Sequence, residues 1–167
     1  MAEYALRPMR WWDIESVMVL EPRLFPEDAW SRGMYWSELA EAYPGGSRHY
    51  VVAVDASGAV VGYAGMMAVG ADADVQTIGV DTGHQGAGLG AMLLEELIGE
   101  SVRRGCAELL LEVRVDNLRA QRLYERFGFE PVGIRRGYYQ PANVDALVMR
   151  LDHLASESSD LKDHHNG

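Results

Sequence analysis

The chain has 167 residues, 48% hydrophobic and 24% charged, with a formal net charge of −10; this suits one domain with a real core and excludes a disordered chain. The acidity opposes binding to phosphate backbones and favours cationic partners. A single cysteine, Cys106, excludes an intramolecular disulfide and a cysteine-rich zinc site, and no stretch is long and apolar enough for a signal peptide or membrane span, so a cytoplasmic protein is expected.

In chain order, Tyr4 to Met9 alternates mildly and predicts a first strand. Trp11 to Leu20 predicts a helix, with Ile14, Val17 and Met18 at helical spacing. Glu21 to Trp30 holds Pro22, Pro26 and Asp28 and cannot be one helix. A second helix is expected from Ser31, a good N-cap, to about Ala42, stopped by Pro44-Gly45-Gly46. Tyr50 to Val54 and Val60 to Met67 are strand-like and joined by hairpin chemistry at Asp55-Ala56-Ser57-Gly58. A strand from about Asp74 to Val80 completes an antiparallel meander.

A glycine-rich stretch, Gly83 to Gly90, leads into a helix with Leu89, Met92, Leu93 and Leu97 on one face, ending at Arg103-Arg104-Gly105. Cys106 follows as a small core residue. Leu109 to Val115 predicts a strand buried on both faces, because Leu109-Leu110-Leu111 does not alternate. A helix after Asn117 carries Ala120, Leu123, Tyr124 and Phe127 on one stripe. Gly128 suits its left-handed cap, and Phe129 can pack back on Tyr124. Strands near Phe129 to Ile134 and Val144 to Leu151 close a single domain, 1–154, leaving 155–167 as a polar tail.

Gln85-Gly86-Ala87-Gly88-Leu89-Gly90 lies between a strand and an amphipathic helix. Such a turn cradles phosphate: glycines admit close backbone approach, and the helix start offers free N–H groups and a positive dipole end. No Gly-Lys-Ser/Thr follows, so it is not a Walker loop. Gly86-Ala87-Gly88-Leu89-Gly90-Ala91 also fits a dinucleotide fingerprint, but the preceding helices and meander do not suit a doubly wound sheet.

With these features together, the sequence resembles the GNAT acetyltransferases from about Tyr4 to Leu151. Gln85, Gly88 and Gly90 match their Arg/Gln-x-x-Gly-x-Gly/Ala signature. The run Leu111-Glu112-Val113-Arg114-Val115-Asp116-Asn117, then Ala120, Leu123-Tyr124 and Gly128-Phe129, looks like the RimI branch. So do Ile78-Gly79-Val80 and the ending Gly133 to Tyr139 with Asp145-Ala146 and Met149. That branch contains bacterial ribosomal-protein-alanine N-acetyltransferases.

The resemblance implies an α/β fold of the α+β kind, a mixed, mostly antiparallel sheet of about seven strands with about four helices. It implies acetyl-CoA as co-substrate, with the pyrophosphate at Gln85, Gly86, Ala87, Gly88, Leu89, Gly90 and Ala91. Ala87 and Ala91 stand where relatives often carry polar residues, so this site is less cationic. Asn117 is implied as a cofactor contact, besides capping the helix that follows it. Glu112 is implied as the base; a lone acid after an apolar run should be desolvated and its pKa raised, though pairing with Arg114 or Arg119 is the alternative. Tyr124 is implied as the acid that protonates the leaving thiolate, or else it is core. Backbone N–H groups at Ile78, Gly79 and Val80 are expected to meet the acetyl oxygen, with Gly79 permitting a bulge. Tyr138 and Tyr139 are expected to grip the acceptor or to pack as core.

The implied acceptor is a protein N-terminal α-amine, most directly the N-terminal alanine of a basic ribosomal protein. A lysine or small-amine acceptor, or a silent acyl-CoA-binding domain, remains open. No metal is expected, since His49, His84 and His153 lack ligand spacing, and His164 and His165 lie in the tail. No nucleic-acid or membrane partner is expected, and the chain should be a monomer or weak dimer.

Overall fold

The computed structural model describes residues 3–152, which build one seven-stranded sheet. The strands are β1 (Ala5–Pro8), β2 (Arg48–Val54), β3 (Val60–Val69), β4 (Asp72–Val80), β5 (Glu108–Arg114), β6 (Glu130–Tyr139) and β7 (Val144–Asp152), in the order β1-β2-β3-β4-β5-β7-β6. Neighbours are antiparallel except β4 and β5. Four α-helices flank the sheet: α1 (Ile14–Leu24), α2 (Arg32–Ala40), α3 (Leu89–Arg103) and α4 (Leu118–Arg126). This is the mixed, mostly antiparallel α/β architecture expected from the sequence. The tail at 155–167, with His164 and His165, and His153 lie outside the described residues.

Two cores sit on opposite faces of the sheet. Under α3 and α4, Leu89, Leu93, Leu94 and Leu97 pack on Val51, Ala64, Leu109 and Leu111, with Cys106 buried among them. Under α1 and α2, Ile14, Val17, Leu20 and Tyr35 pack on Tyr50, Val52 and Tyr63. The helix ends follow local chemistry. Ser31 Oγ accepts from the Met34 amide, and Asn117 Oδ1 accepts from the Ala120 amide. At the end of α4 the Phe129 amide donates to Tyr124 O and the Gly128 amide to Glu125 O, with Gly128 at φ +93. This is the Schellman closure, and it packs the Phe129 ring 5.9 Å from that of Tyr124.

Three elements depart from expectation. α1 runs through Pro22 to Leu24 instead of ending at Leu20. Pro22 removes one N–H near the helix end, but the buried Leu20 and Glu21 just before it anchor the last turn. β5 is not equally buried on both faces: Leu109, Leu111 and Val113 are buried, whereas Leu110 and Glu112 are half-buried. α3 covers one face, while α1 and α2 lie over β2, β3 and β4 and leave the other face of β5 uncovered. β6 continues past Ile134 to Tyr139, where Tyr139 pairs with Val144.

The feature that makes the site is the parting of β4 and β5. Their parallel pairing lasts from Asp72–Asp74 against Glu108–Leu110. Just beyond, Gly65 faces Thr77 while Met66 faces Val75, so Gln76 is an extra residue, a bulge that bends β4.

Candidate active site

Past the bulge, the free edge of β4 looks into a cleft. The Asp81 amide donates to Val61 O on β3. In an antiparallel ladder every second amide points the same way, so the Gly79 amide also faces β3 while those of Ile78 and Val80 face the cleft. The bulge is therefore at Gln76, not at Gly79 as expected. Gly79 has a different steric reason to be glycine: a Cβ there would meet the Tyr63 ring at 2.8 Å and Leu24 at 3.1 Å.

The cleft holds two adjoining cavities of about 480 and 490 Å³. Leu24, Phe25, Ile78, Asn117, Ala120 and Tyr124 line both, which places Tyr124 and Asn117 at the junction. The second cavity runs along the glycine turn, where Gln85, Gly86, Gly88, Leu89, Gly90 and Ala91 line it; Ala87 does not. Gly86 (φ +85) and Gly88 (φ +79) are left-handed with open space around them, and Gly88 caps α3. Their amides and the first turn of α3 form an anion cradle. Two cations that the sequence did not assign to the cofactor border it: Arg119 and Arg126 of α4. Arg119 Nη1 donates to Gln85 Oε1 at 2.9 Å, and Gln85 Nε2 donates to Val80 O at 3.2 Å. Asparagine at 117 starts α4 with Arg119 two residues on, so a basic residue in the first turn of this helix was the available signal.

Glu112 lines the first cavity, its side chain 21% exposed. Burial pushes its pKa up, Arg135 opposes the rise, and Asp74 adds to it. Its cation is thus Arg135 of β6 at 3.5 Å, not Arg114 or Arg119. Arg114 instead meets Glu27 at 3.0 Å, Asp28 at 3.3 Å and Asp116 at 3.0 Å, and ties the segment between α1 and α2 to β5. Tyr124 is 5% exposed. Burial is the sole influence raising its pKa: no group among the described residues hydrogen-bonds the hydroxyl, which leaves it available to a ligand in the cavities it lines.

Tyr138 and Tyr139 pack edge to face, ring centroids 5.0 Å apart. Arg135 lies over the Tyr138 ring and Arg114 over the Tyr139 ring, each at 5.6 Å. Both rings border a further cavity of about 710 Å³ that shares Glu112 and Tyr139 with the cleft. Its wall carries Glu27, Asp28 and Asp74 as well. Asp74 makes no ion pair or side-chain hydrogen bond among the described residues, and burial, then Asp72, raise its pKa. These acids were not foreseen, because they lie far apart in sequence and meet only where β4 and β5 part.

Among the described residues, His49, Glu96 and Glu100 bring ligand atoms within 4.8 Å of one another, which spacing alone did not show. Both carboxylates are already paired, Glu96 with Arg103 at 3.1 Å and Glu100 with Arg103 at 2.9 Å and Arg104 at 3.0 Å. The cluster is an ion-pair network on the far side of α3.

Fold and cleft together define an acetyltransferase. The acetyltransferase (GNAT) family model matches residues 10–129, and the chain belongs to that family. It is 41% identical over 145 residues to the N-alpha-acetyltransferase RimI of Mycobacterium tuberculosis, covering 84% of this chain and 87% of that protein. It is 35% identical over 145 residues to a putative [ribosomal protein bS18]-alanine N-acetyltransferase of Bacillus subtilis, covering 87% of this chain and 93% of that one. The crystal structure of the ribosomal-protein-S18-alanine N-acetyltransferase from Escherichia coli superposes with a TM-score of 0.80 at 31% identity, over 90% of this chain and 94% of that one.

Proposed function

We propose that this N-acetyltransferase moves the acetyl group of acetyl-CoA to the free α-amine of a protein N-terminus, foremost an N-terminal alanine on a basic ribosomal protein. The observation that carries this reading is the placement of Glu112. It faces the cleft beside Tyr124 and, at the same time, the acid-walled cavity bordered by Tyr138 and Tyr139. The similarity to the alanine N-acetyltransferases supports the acceptor. Residues 1–154 form the catalytic domain in this reading, and the protein works in the cytoplasm; no helix of the described residues is long and apolar enough to cross a membrane.

Acetyl-CoA supplies an activated thioester when bound. The glycine cradle with Gln85, Arg119 and Arg126 suits its phosphates, and the apolar walls Leu24, Phe25, Ile78 and Leu123 suit its arm. In this reading the outward amides of Ile78 and Val80 donate to the acetyl oxygen and to the arm; their direction toward the cleft supports it. Glu112 takes the proton from the attacking amine; its raised pKa brings it toward neutrality, where a base is most effective. Tyr124, 5% exposed, holds a proton at the border of the cofactor cavity and delivers it to the leaving sulfur. Asn117 both caps α4 and lines the cleft, so a cofactor contact is compatible with its cap.

A peptide panel tests the reading: Ala-initiated peptides with free or blocked N-termini, with and without lysine. Acetylation of the free terminus alone is the expected result. Acetylation of lysine in the blocked peptide, with the free terminus ignored, would reassign the acceptor to a side-chain amine.

A further inference from the structure

Glu21, near the end of α1, is 1% exposed and sits on the wall of the cavity that holds Glu112. It accepts three hydrogen bonds from three different elements. The Tyr35 hydroxyl of α2 donates at 2.8 Å, the Tyr63 hydroxyl of β3 donates to the same oxygen, and the Trp30 amide donates to the other oxygen at 3.0 Å. A buried carboxylate is tolerated only when its lone pairs are met, so these bonds fix the elements that make them.

Trp30 belongs to the segment 25–31, which joins α1 to α2 and supplies Glu27 and Asp28 to the acid-walled cavity. Arg114 holds the outer part of this segment. The Trp30 amide has no backbone partner among the described residues, so Glu21 is its hold at the inner part. Tyr63, on the same carboxylate, lies over Gly79 on the face of the sheet that α1 and α2 cover.

We propose that Glu21 is a positioning residue for the acceptor: it holds the segment 25–31 in the shape that receives the incoming N-terminus. It acts through the segment and does not touch the reacting atoms. The proposal rests on the acceptor reading above, and the two are tested separately by steady-state kinetics and by hydrogen exchange of the Trp30 amide, both on the full chain. Glu21→Leu should raise the KM for an Ala-initiated peptide by about tenfold or more, the scale of one lost hydrogen bond to a charged group. Its KM for acetyl-CoA should stay within about twofold, and the Trp30 amide should lose its protection. Glu21→Gln keeps an acceptor oxygen for Trp30 and an amide that a tyrosine hydroxyl can accept, so it should retain most of both. If Glu21→Leu does not fold, the Tyr35→Phe, Tyr63→Phe pair frees the carboxylate without introducing a new group and should raise peptide KM in the same selective way. A folded Glu21→Leu or Tyr-pair variant with unchanged peptide KM, or an unprotected Trp30 amide in the wild type, overturns the proposal. Failure of the wild type to acetylate any free N-terminus overturns the acceptor reading instead, and Trp30 exchange then decides whether Glu21 holds the segment.

Discussion

Glu112 of β5 and Arg135 of β6 meet across the intervening strand β7, carboxylate oxygen to guanidinium nitrogen at 3.5 Å. The arginine pulls the pKa of the glutamate down while burial and Asp74 push it up, and burial prevails. The proposed base is therefore tuned by two neighbours of opposite sign. The acid limb of kcat/KM reports the pKa of the free enzyme's base. Arg135→Gln removes the lowering influence, so the limb should move to higher pH. Asp74→Asn removes a raising influence, so the limb should move to lower pH. Profiles that shift the same way in both variants would show that Glu112 does not govern the limb.

Removing the proposed base while keeping its shape gives a second test. Glu112→Gln should lower turnover by roughly 10²–10⁴-fold, the range typical of a positioned general base, with acetyl-CoA binding nearly unchanged. Near-full activity at neutral pH would place the base elsewhere or assign the proton to water.

Tyr124→Phe separates packing from proton delivery. The ring stays against Phe129, and the hydroxyl has no partner among the described residues to lose, so thermal stability should hold within about a degree or two. If the hydroxyl protonates the leaving sulfur, kcat should fall by at least about tenfold while both KM values stay near normal. A variant that is as active as wild type would make Tyr124 a core residue only.

At the glycine turn, acetyl-CoA should raise the melting temperature by mass action. Gly88→Glu puts a carboxylate into the cradle and forces a side chain onto a residue at φ +79. The shift should vanish. Gly58 provides the comparison, since it has a similar φ of +85 in the β2–β3 hairpin, away from the cleft. Gly58→Ala should cost stability but leave the acetyl-CoA shift intact; loss of the shift in both would attribute it to general damage.

Much of the fold was legible because local signals agreed with the tertiary result. Ser31, Gly105, Asn117 and Gly128 mark helix ends by chemistry that needs no long-range partner. The period of Leu89, Met92, Leu93 and Leu97 placed α3 against the sheet. What sequence could not show is what forms between distant segments. The Gln76 bulge is a relation between β3 and β4, and no residue type announces it. The run Leu109-Leu110-Leu111 suggests two buried faces because the sequence does not say that α1 and α2 stop short of β5. Glu21 read as the residue before a helix-breaking proline, yet two tyrosines and a loop amide make it the hub of a buried network. The motif around Glu112 and Tyr124 could be recognised, whereas Arg135, Asp74 and Arg119, which set their surroundings, lie outside it.

The acids around the proposed acceptor cavity make the final prediction. Glu27, Asp28 and Asp74 border it with Glu112, against the single arginine Arg135. Glu27 and Asp28 are shared with Arg114, but Asp74 has no ion-pair partner among the described residues, so its charge is open to a ligand. A peptide entering with its terminus at Glu112 would bring its second residue near this wall. An opposite charge a few ångströms away at a partly exposed site is worth on the order of 1 kcal/mol or more, hence roughly a five- to tenfold preference. Ala-Arg peptides should therefore show a lower KM than Ala-Gln peptides, and Ala-Glu peptides a higher one, with smaller differences in kcat. Raising ionic strength from about 0.05 to 0.5 M should compress the series, because the Debye length falls to a few ångströms and the cavity is open to solvent. Asp74→Asn should compress it too, at low salt and without changing the KM for acetyl-CoA. An order of preference that survives both high salt and Asp74→Asn would mean that shape, through Tyr138 and Tyr139, selects the second residue and that the acids serve only to set the pKa of Glu112.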